Sequence, residues 1–250
     1  KIVLDRDDTI ATDGHSMAKV SLETSGTGGD RSIVFHEASA LDVVTATATG
    51  ALSTPGGVAA TSVGNRGQGV KSVVGGSNGA VVVKAGGALT VSQAIVSTPT
   101  GANTAGGTVV LEAVGGITTQ TNGTITTDGS GNAAGGEVLL VNATSGDITI
   151  GKAISAQGGS SGTPGAGSDG AVVTLINTGG NIVLNEALNV SKNAAGTNDG
   201  TIQLKASGDI TDGANGNLVG NTNGLVNALS TGGKIVLDRD DTIATDGHSM

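Results

Sequence analysis

The feature that most constrains how this chain can fold is an imperfect internal repeat with a period of about 29 positions. Each repeat contains a run of β-branched residues, a Gly-rich break, a second short run, a polar turn, a third run and a loop. Apolar residues alternate inside the runs, as at Val109 and Leu111 or at Ile148 and Ile150, so each run is predicted to be a strand that buries one face. A single three-strand unit cannot bury that face alone, whereas stacked copies can.

The first strand of each unit is predicted near an aliphatic residue, and the stretch from Val20 to Val81 is expected to hold two more units. Eight units then fill the chain from position 1 to position 233. Residues 30–78 fit the period worst and carry the only Phe, so a bulged or decorated coil is expected there. The predicted first-strand positions are Val20, Val81, Val109, Val138, Val173, Ile202 and Val226.

The predicted fold is all-β: a right-handed parallel β-helix, or β-solenoid, with three strands per coil and about eight coils per 233-residue repeat. The 45 glycines disfavour helices, and a single aromatic residue disfavours a conventional globular core. A β-propeller is the rival architecture. It is weaker because each blade needs four antiparallel strands and the usual aromatic signatures are missing.

A second scale of repetition is an identity of seventeen residues. Residues 1–17 recur unchanged as residues 234–250, which are 233 positions further on. We therefore expect residues 1–250 to form one solenoid segment of a longer tandem array. Residues 1–233 are then one repeat unit, and residues 234–250 are the start of the next identical unit.

The spacing of Gly and β-branched residues resembles a known family. The pattern GG-x-V-x-L-x-x-x-G-x-I, followed by a third strand, is clearest over residues 79–250. It is similar to the repeat region of filamentous haemagglutinin-like exoproteins, large adhesins that two-partner systems secrete. The resemblance implies an elongated fibre, secreted or on the cell surface, that serves attachment or matrix building.

The charge balance limits the partners that we expect. The formal net charge is −9 and the isoelectric point is about 4.6, which argues against binding nucleic acid or an anionic membrane surface. No run of apolar residues approaches the length of about 18 that a membrane-spanning helix needs, so no membrane span is expected.

Clustered aspartates at one predicted corner are the candidate metal site. Ca²⁺ takes six to eight oxygen ligands, which carboxylates and turn carbonyls can supply. Arg6 lies within the cluster and offers another neutraliser, so solvated turn carboxylates are the favoured alternative. No other cofactor is expected. The candidate calcium ligands are Asp5, Asp7 and Asp8 and their copies Asp238, Asp240 and Asp241.

These patterns predict a non-catalytic structural segment of an extracellular filament, sheath or adhesin stalk. Its expected partners are further copies joined end to end, and lateral association between fibres is left open. One alternative is an adhesin that binds a surface glycan or a protein receptor through loops at Gln157–Asp169 or Arg31–Ala40. Another is a polysaccharide-active enzyme, which needs two facing carboxylates. That alternative is weaker because the glutamates fall singly in different coils, at Glu23, Glu37, Glu112, Glu137 and Glu186.

Overall fold

A computed structural model describes most of the chain and shows a parallel β-helix. The described residues are 2–4, 17–24, 32–44, 70–72, 79–99, 101–159, 168–193, 196–220 and 223–238. Over these residues the secondary structure consists of short strands without a helix, and so no helix there is long and apolar enough to cross a membrane.

The strands form three sheets whose neighbours are parallel. Sheet 1 contains β1 (Ile2–Leu4), β4 (Ile33–Glu37), β7 (Val81–Ala85), β10 (Val109–Ala113), β13 (Val138–Asn142), β16 (Val172–Asn177), β19 (Thr201–Ala206) and β22 (Leu225–Ser230). Sheet 2 contains β2 (Lys19–Val20), β5 (Leu41–Val43), β8 (Leu89–Val91), β11 (Ile117–Thr119), β14 (Ile148–Ile150), β17 (Ile182–Leu184), β20 (Ile210–Asp212) and β23 (Ile235–Val236). Sheet 3 contains β3 (Leu22–Thr24), β6 (Val70–Ser72), β9 (Ile95–Val96), β12 (Ile125–Thr126), β15 (Ile154–Ser155), β18 (Leu188–Asn189) and β21 (Leu218–Val219).

Except at the two ends of each sheet, every described strand pairs with the strands one coil before and one coil after it. Val109 of β10, for example, lies between Val81 of β7 and Val138 of β13. From β7 to β22 the coils differ only moderately in length, because the equivalent positions in sheet 1 are 81, 109, 138, 173, 202 and 226. The predicted three-strand coil, with a short turn after the second strand and a longer loop after the third, is confirmed.

The core is a set of aliphatic columns inside the coil. Alternate residues of the strands in sheet 1 point inward, which gives the buried–half-buried alternation of β7, β10 and β13. Inward residues of successive coils lie directly over one another, so each layer covers the next one. Side chains with no solvent exposure include Ile33, Val81, Leu111, Ile117, Ile125, Leu140, Ile148, Ile150, Ile154, Leu175 and Ile182.

The prediction for Val20 is wrong. Val20 lies in sheet 2, paired with Val43, and the strand of sheet 1 in that region is Ile2–Leu4. The copy of this segment at Ile235–Val236 lies in sheet 2, so identical residues occupy different sheets. The reason is that an aliphatic–x–aliphatic tripeptide satisfies the inner face of either sheet, and its local sequence does not choose between them.

The coil that begins at β4 is the longest one among the described strands. Ile33 and Val81 are partners in adjacent strands although they are much further apart along the chain than Val81 and Val109, so the irregular region is one long coil. The prediction of two units between Val20 and Val81 is wrong, because β4 is the one described strand of sheet 1 between them. The segment Arg31–Ala40, by contrast, is largely a regular strand and not a loop. Residues 33–37 form β4 in register with β7, and Phe35 is buried in the core. The extra length therefore falls between β5 and β6.

Candidate functional site

Most of the predicted calcium corner lies outside the described residues. Of the six aspartates only Asp238 is described, and it is exposed; the other five are Asp5, Asp7, Asp8, Asp240 and Asp241. In the described ranges no group of three or more His, Cys, Asp or Glu side chains is arranged to hold a metal ion. The calcium site stays a prediction.

Asp and Asn side chains join the coils at the corner between sheets 1 and 2. Oδ1 of Asp147 accepts a hydrogen bond from the backbone N–H of Asn181 at 2.8 Å. Oδ1 of Asn181 accepts one from the backbone N–H of Asp209 at 2.7 Å, and Oδ1 of Asp209 accepts one from the backbone N–H of Lys234 at 2.9 Å. Each side chain thus satisfies a backbone donor of the next coil, and together they form a polar ladder along this corner.

A second polar ladder lies inside the solenoid at the end of the strands of sheet 1. Asn142 and Asn177 occupy equivalent inward positions on β13 and β16, and both are buried. Oδ1 of Asn142 accepts a hydrogen bond from the backbone N–H of Gly116 at 2.9 Å, and Nδ2 of Asn177 donates to the carbonyl oxygen of Asn181 at 2.7 Å. These amides pair backbone groups of the turns, which are costly to bury without partners.

Aspartates at the corner between sheets 3 and 1 also bind backbone. Oδ1 of Asp169 accepts the N–H groups of Asn198 at 2.9 Å and of Thr197 at 2.8 Å. These bonds stabilise the ionised form, and the bond from Asn198 contributes most, so they hold the pKa of Asp169 below its ordinary value of 3.8 against the opposing effect of burial. Oδ1 of Asp128 accepts from Ser155 Oγ at 2.6 Å. These carboxylates serve the structure of the corner.

The described glutamates that were weighed as catalytic acids lie apart. Glu37 is buried at the end of β4 and accepts hydrogen bonds from Met17 N at 2.5 Å and from Ser39 Oγ at 2.8 Å. Glu112 lies on the outside of β10 and forms an ion pair with Lys84 at 3.3 Å. Glu137 and Glu186 lie on other coils, and the side chain of Glu23 is outside the described part of the structure.

The outer face of sheet 1 is the feature that sequence analysis missed. Its middle column consists of Val34, Val82, Val110 and Leu139, which are register partners on four successive strands and are half-buried. In the neighbouring column, Val141 and Ile176 are partners. The sequence does carry a signal for this face, because runs such as VVV (81–83) and VLLV (138–141) are apolar at every position.

Toward β22 the same face forms a shallow depression of about 210 Å³. Its outward lining residues are Thr174, Ile176, Gln203, Lys205, Asn227 and Leu229, and its surface is mostly apolar. The binding loop predicted at Gln157–Asp169 is described only at its two ends, residues 157–159 and 168–169. Receptor binding there stays a prediction.

In comparisons with known proteins, no family model, no curated protein and no solved structure matches this chain.

Proposed function

We propose that this chain is a structural segment of a long extracellular or cell-surface filament, such as a sheath or an adhesin stalk, built from tandem copies of its 233-residue unit. The observation that carries the proposal is the unbroken parallel register of all three sheets from coil to coil. In such a stack each coil adds a nearest-neighbour increment of stability, so length has no intrinsic limit. The similarity of the repeat pattern to filamentous haemagglutinin-like exoproteins supports the same proposal.

The last described coil supports addition of a further coil. β22 and β23 are the final described strands of sheets 1 and 2. The inward residues Val226 and Ala228 of β22 are only partly buried, and Ile235 of β23 is 45% exposed, whereas equivalent residues in earlier coils are buried. A following coil would cover this layer and pair the outer edges of β22 and β23, which have no partner strand among the described residues, as β19 and β22 pair now.

The proposal is tested with chains that contain one, two and three copies of the 233-residue unit. The segment Ile2–Leu4 lies in sheet 1 and its copy Ile235–Val236 in sheet 2, so one unit adds seven or eight coils. At about 4.8 Å per coil, each copy should lengthen the particle by about 34–38 Å. Small-angle X-ray scattering and electron microscopy measure this increment. Particles that grow in cross-section without growing in length would contradict the proposal.

A matched pair of substitutions locates the junction between copies. Ala228→Asp places a charge on the inward side of the last described layer, whereas Asn227→Asp places the same charge on the outward side of the adjacent residue. In a two-copy chain, Ala228→Asp should break the rod into two separately moving bodies, because an unpaired charge is costly to bury. Asn227→Asp should keep the rod straight. Equal effects of the two substitutions would argue against coil-on-coil stacking at the junction.

A further inference from the structure

The outward-pointing side chains of sheets 1 and 2 differ in chemistry. The outward column of sheet 2 is rich in threonine, with Thr90, Thr118 and Thr149 on successive coils. The outward column of sheet 1 on the same three coils is Val82, Val110 and Leu139. Strands of parallel sheets that are apolar at every position are typical of sheets covered on both sides. From β4 to β13 the sequence of sheet 1 is therefore that of a covered sheet, whereas on β16, β19 and β22 the same outward column is polar, with Thr174, Gln203 and Asn227.

Charge is distributed so that another acidic molecule can approach this face. The whole chain has a net charge of −9, but the charged outward residues on the described strands from β7 to β22 are Lys84, Glu112 and Lys205, with a formal sum of +1. The described aspartates lie largely at the corners. Repulsion between two copies is therefore weak when they meet through sheet 1.

The ion pair on this face fits a two-fold arrangement. Lys84 and Glu112 are register partners on β7 and β10. A two-fold axis parallel to the strands, passing between β7 and β10, brings Lys84 of one copy opposite Glu112 of the second copy. The two ion pairs can then exchange partners or form a four-charge cluster, and no like charges are forced into contact.

The area of the outer face of sheet 1 determines how many repeat units are needed for stable pairing. A strand of five residues spans about 16 Å and seven or eight coils span about 34–38 Å, which gives about 540–600 Å² per 233-residue unit. A stable interface buries about 800 Å² per partner, so one unit falls short and two or more exceed this value. Pairing should therefore strengthen steeply with the number of linked units, because the later contacts are intramolecular.

We propose that two filaments of this protein pair laterally through the outer face of sheet 1, which is centred on the column Val34, Val82, Val110 and Leu139. The proposal rests on the filament function above and names the surface through which one filament recognises another. It predicts a double thread for long arrays and single particles for the one-unit chain at micromolar concentration.

The test uses three-unit chains and measures mass by sedimentation velocity and thread width by electron microscopy. The test variant carries Val110→Lys and Leu139→Lys in every unit. The control carries Thr118→Lys and Thr149→Lys, which add the same charges on the same coils of sheet 2. The unmodified and control arrays should have twice the mass of one chain. The test variant should have the mass of one chain, with a dissociation constant raised by about 100-fold or more.

A milder variant guards against failure to fold. Val110→Thr with Leu139→Thr keeps β-propensity and should also weaken pairing, while rod length stays unchanged. An unmodified array that remains single at high concentration would overturn lateral pairing. A test variant that still pairs would also overturn it, as would a control variant that separates as readily as the test variant. Each of these outcomes leaves the rod length, and with it the filament proposal, unaffected.

Discussion

Asn142 and Asn177, one coil apart and both buried, share a side-chain hydrogen bond of 2.9 Å from Nδ2 of Asn142 to Oδ1 of Asn177. The column that holds them contains Ala85, Ala113 and Ala206 at equivalent positions. The two amides therefore occupy places where alanine stands in three other coils, and the same column also holds Glu37 and Ser230. They brace the turns that follow β13 and β16.

Replacing Asn177 with Leu should destabilise the protein. The substitution removes the acceptor of the 2.9 Å bond, the acceptor of the Gly179 backbone N–H at 3.0 Å and one donor to the carbonyl oxygen of Asn181. The expected loss is about 2–4 kcal/mol in the free energy of unfolding. Denaturant unfolding followed by circular dichroism measures it. Asn227→Leu, at an exposed outward position of β22, is the control and should change stability by less than about 0.5 kcal/mol.

Neighbouring leucines on β13 test which face is the core. Leu140 has no exposed surface, whereas Leu139 points outward and is half-buried. Leu140→Ala should cost about 2–5 kcal/mol because it leaves a cavity between stacked coils. Leu139→Ala should cost less than about 1.5 kcal/mol in the one-unit chain. Similar losses at the two positions would contradict the described inward and outward assignment.

Gly146 should not tolerate a side chain. Its φ is +82°, and a Cβ at this position would lie 2.6 Å from the carbonyl oxygen of Gly115 in the preceding coil. Gly146→Ala should therefore cost about 1–3 kcal/mol through backbone strain and displacement of that coil. Thermal unfolding gives the difference, with the exposed neighbour Ser145→Ala as the control. An unchanged melting temperature for Gly146→Ala would show that the corner rearranges freely.

The carboxylate of Asp169 predicts how the free energy of unfolding changes at acidic pH. Its hydrogen bonds from Asn198 and Thr197 lower its pKa in the folded state below 3.8, so the ionised group stabilises the fold above the unfolded pKa. That contribution should be lost as the pH falls from about 4 through the lowered folded pKa. In Asp169→Asn, the difference in stability from the unmodified chain should shrink over that range. A constant difference between about pH 6 and pH 2 would contradict this role.

Much of the fold is predictable because it depends on repetition. Val109 and Leu111 or Ile148 and Ile150 alternate with outward residues, and this period of two identifies the inward side of each strand. The turns and loops follow because Gly and Asn occur between the runs. These local signals recur in each unit, so an error in predicting one coil does not change the prediction for the next coil.

The features that sequence analysis misses depend on relations between coils. Nothing local shows that Ile2–Leu4 and Ile235–Val236, with the same residues, belong to different sheets, since both sheets accept the same inward pattern. The pairing of Asn142 with Asn177 depends on the register between two coils. The apolar outer column is present in the sequence as unbroken apolar runs. The alternation of apolar and polar residues identifies only the inward residues of those runs.

The long coil between β4 and β7 keeps its strands in register with neighbours that are much shorter. Extra length is thus accommodated between two strands, and the columns on either side are not displaced. A scaffold with this property separates two kinds of change during evolution. Connecting segments can be gained, lost or exchanged, while the interior remains under the constraint of stacking one layer upon another.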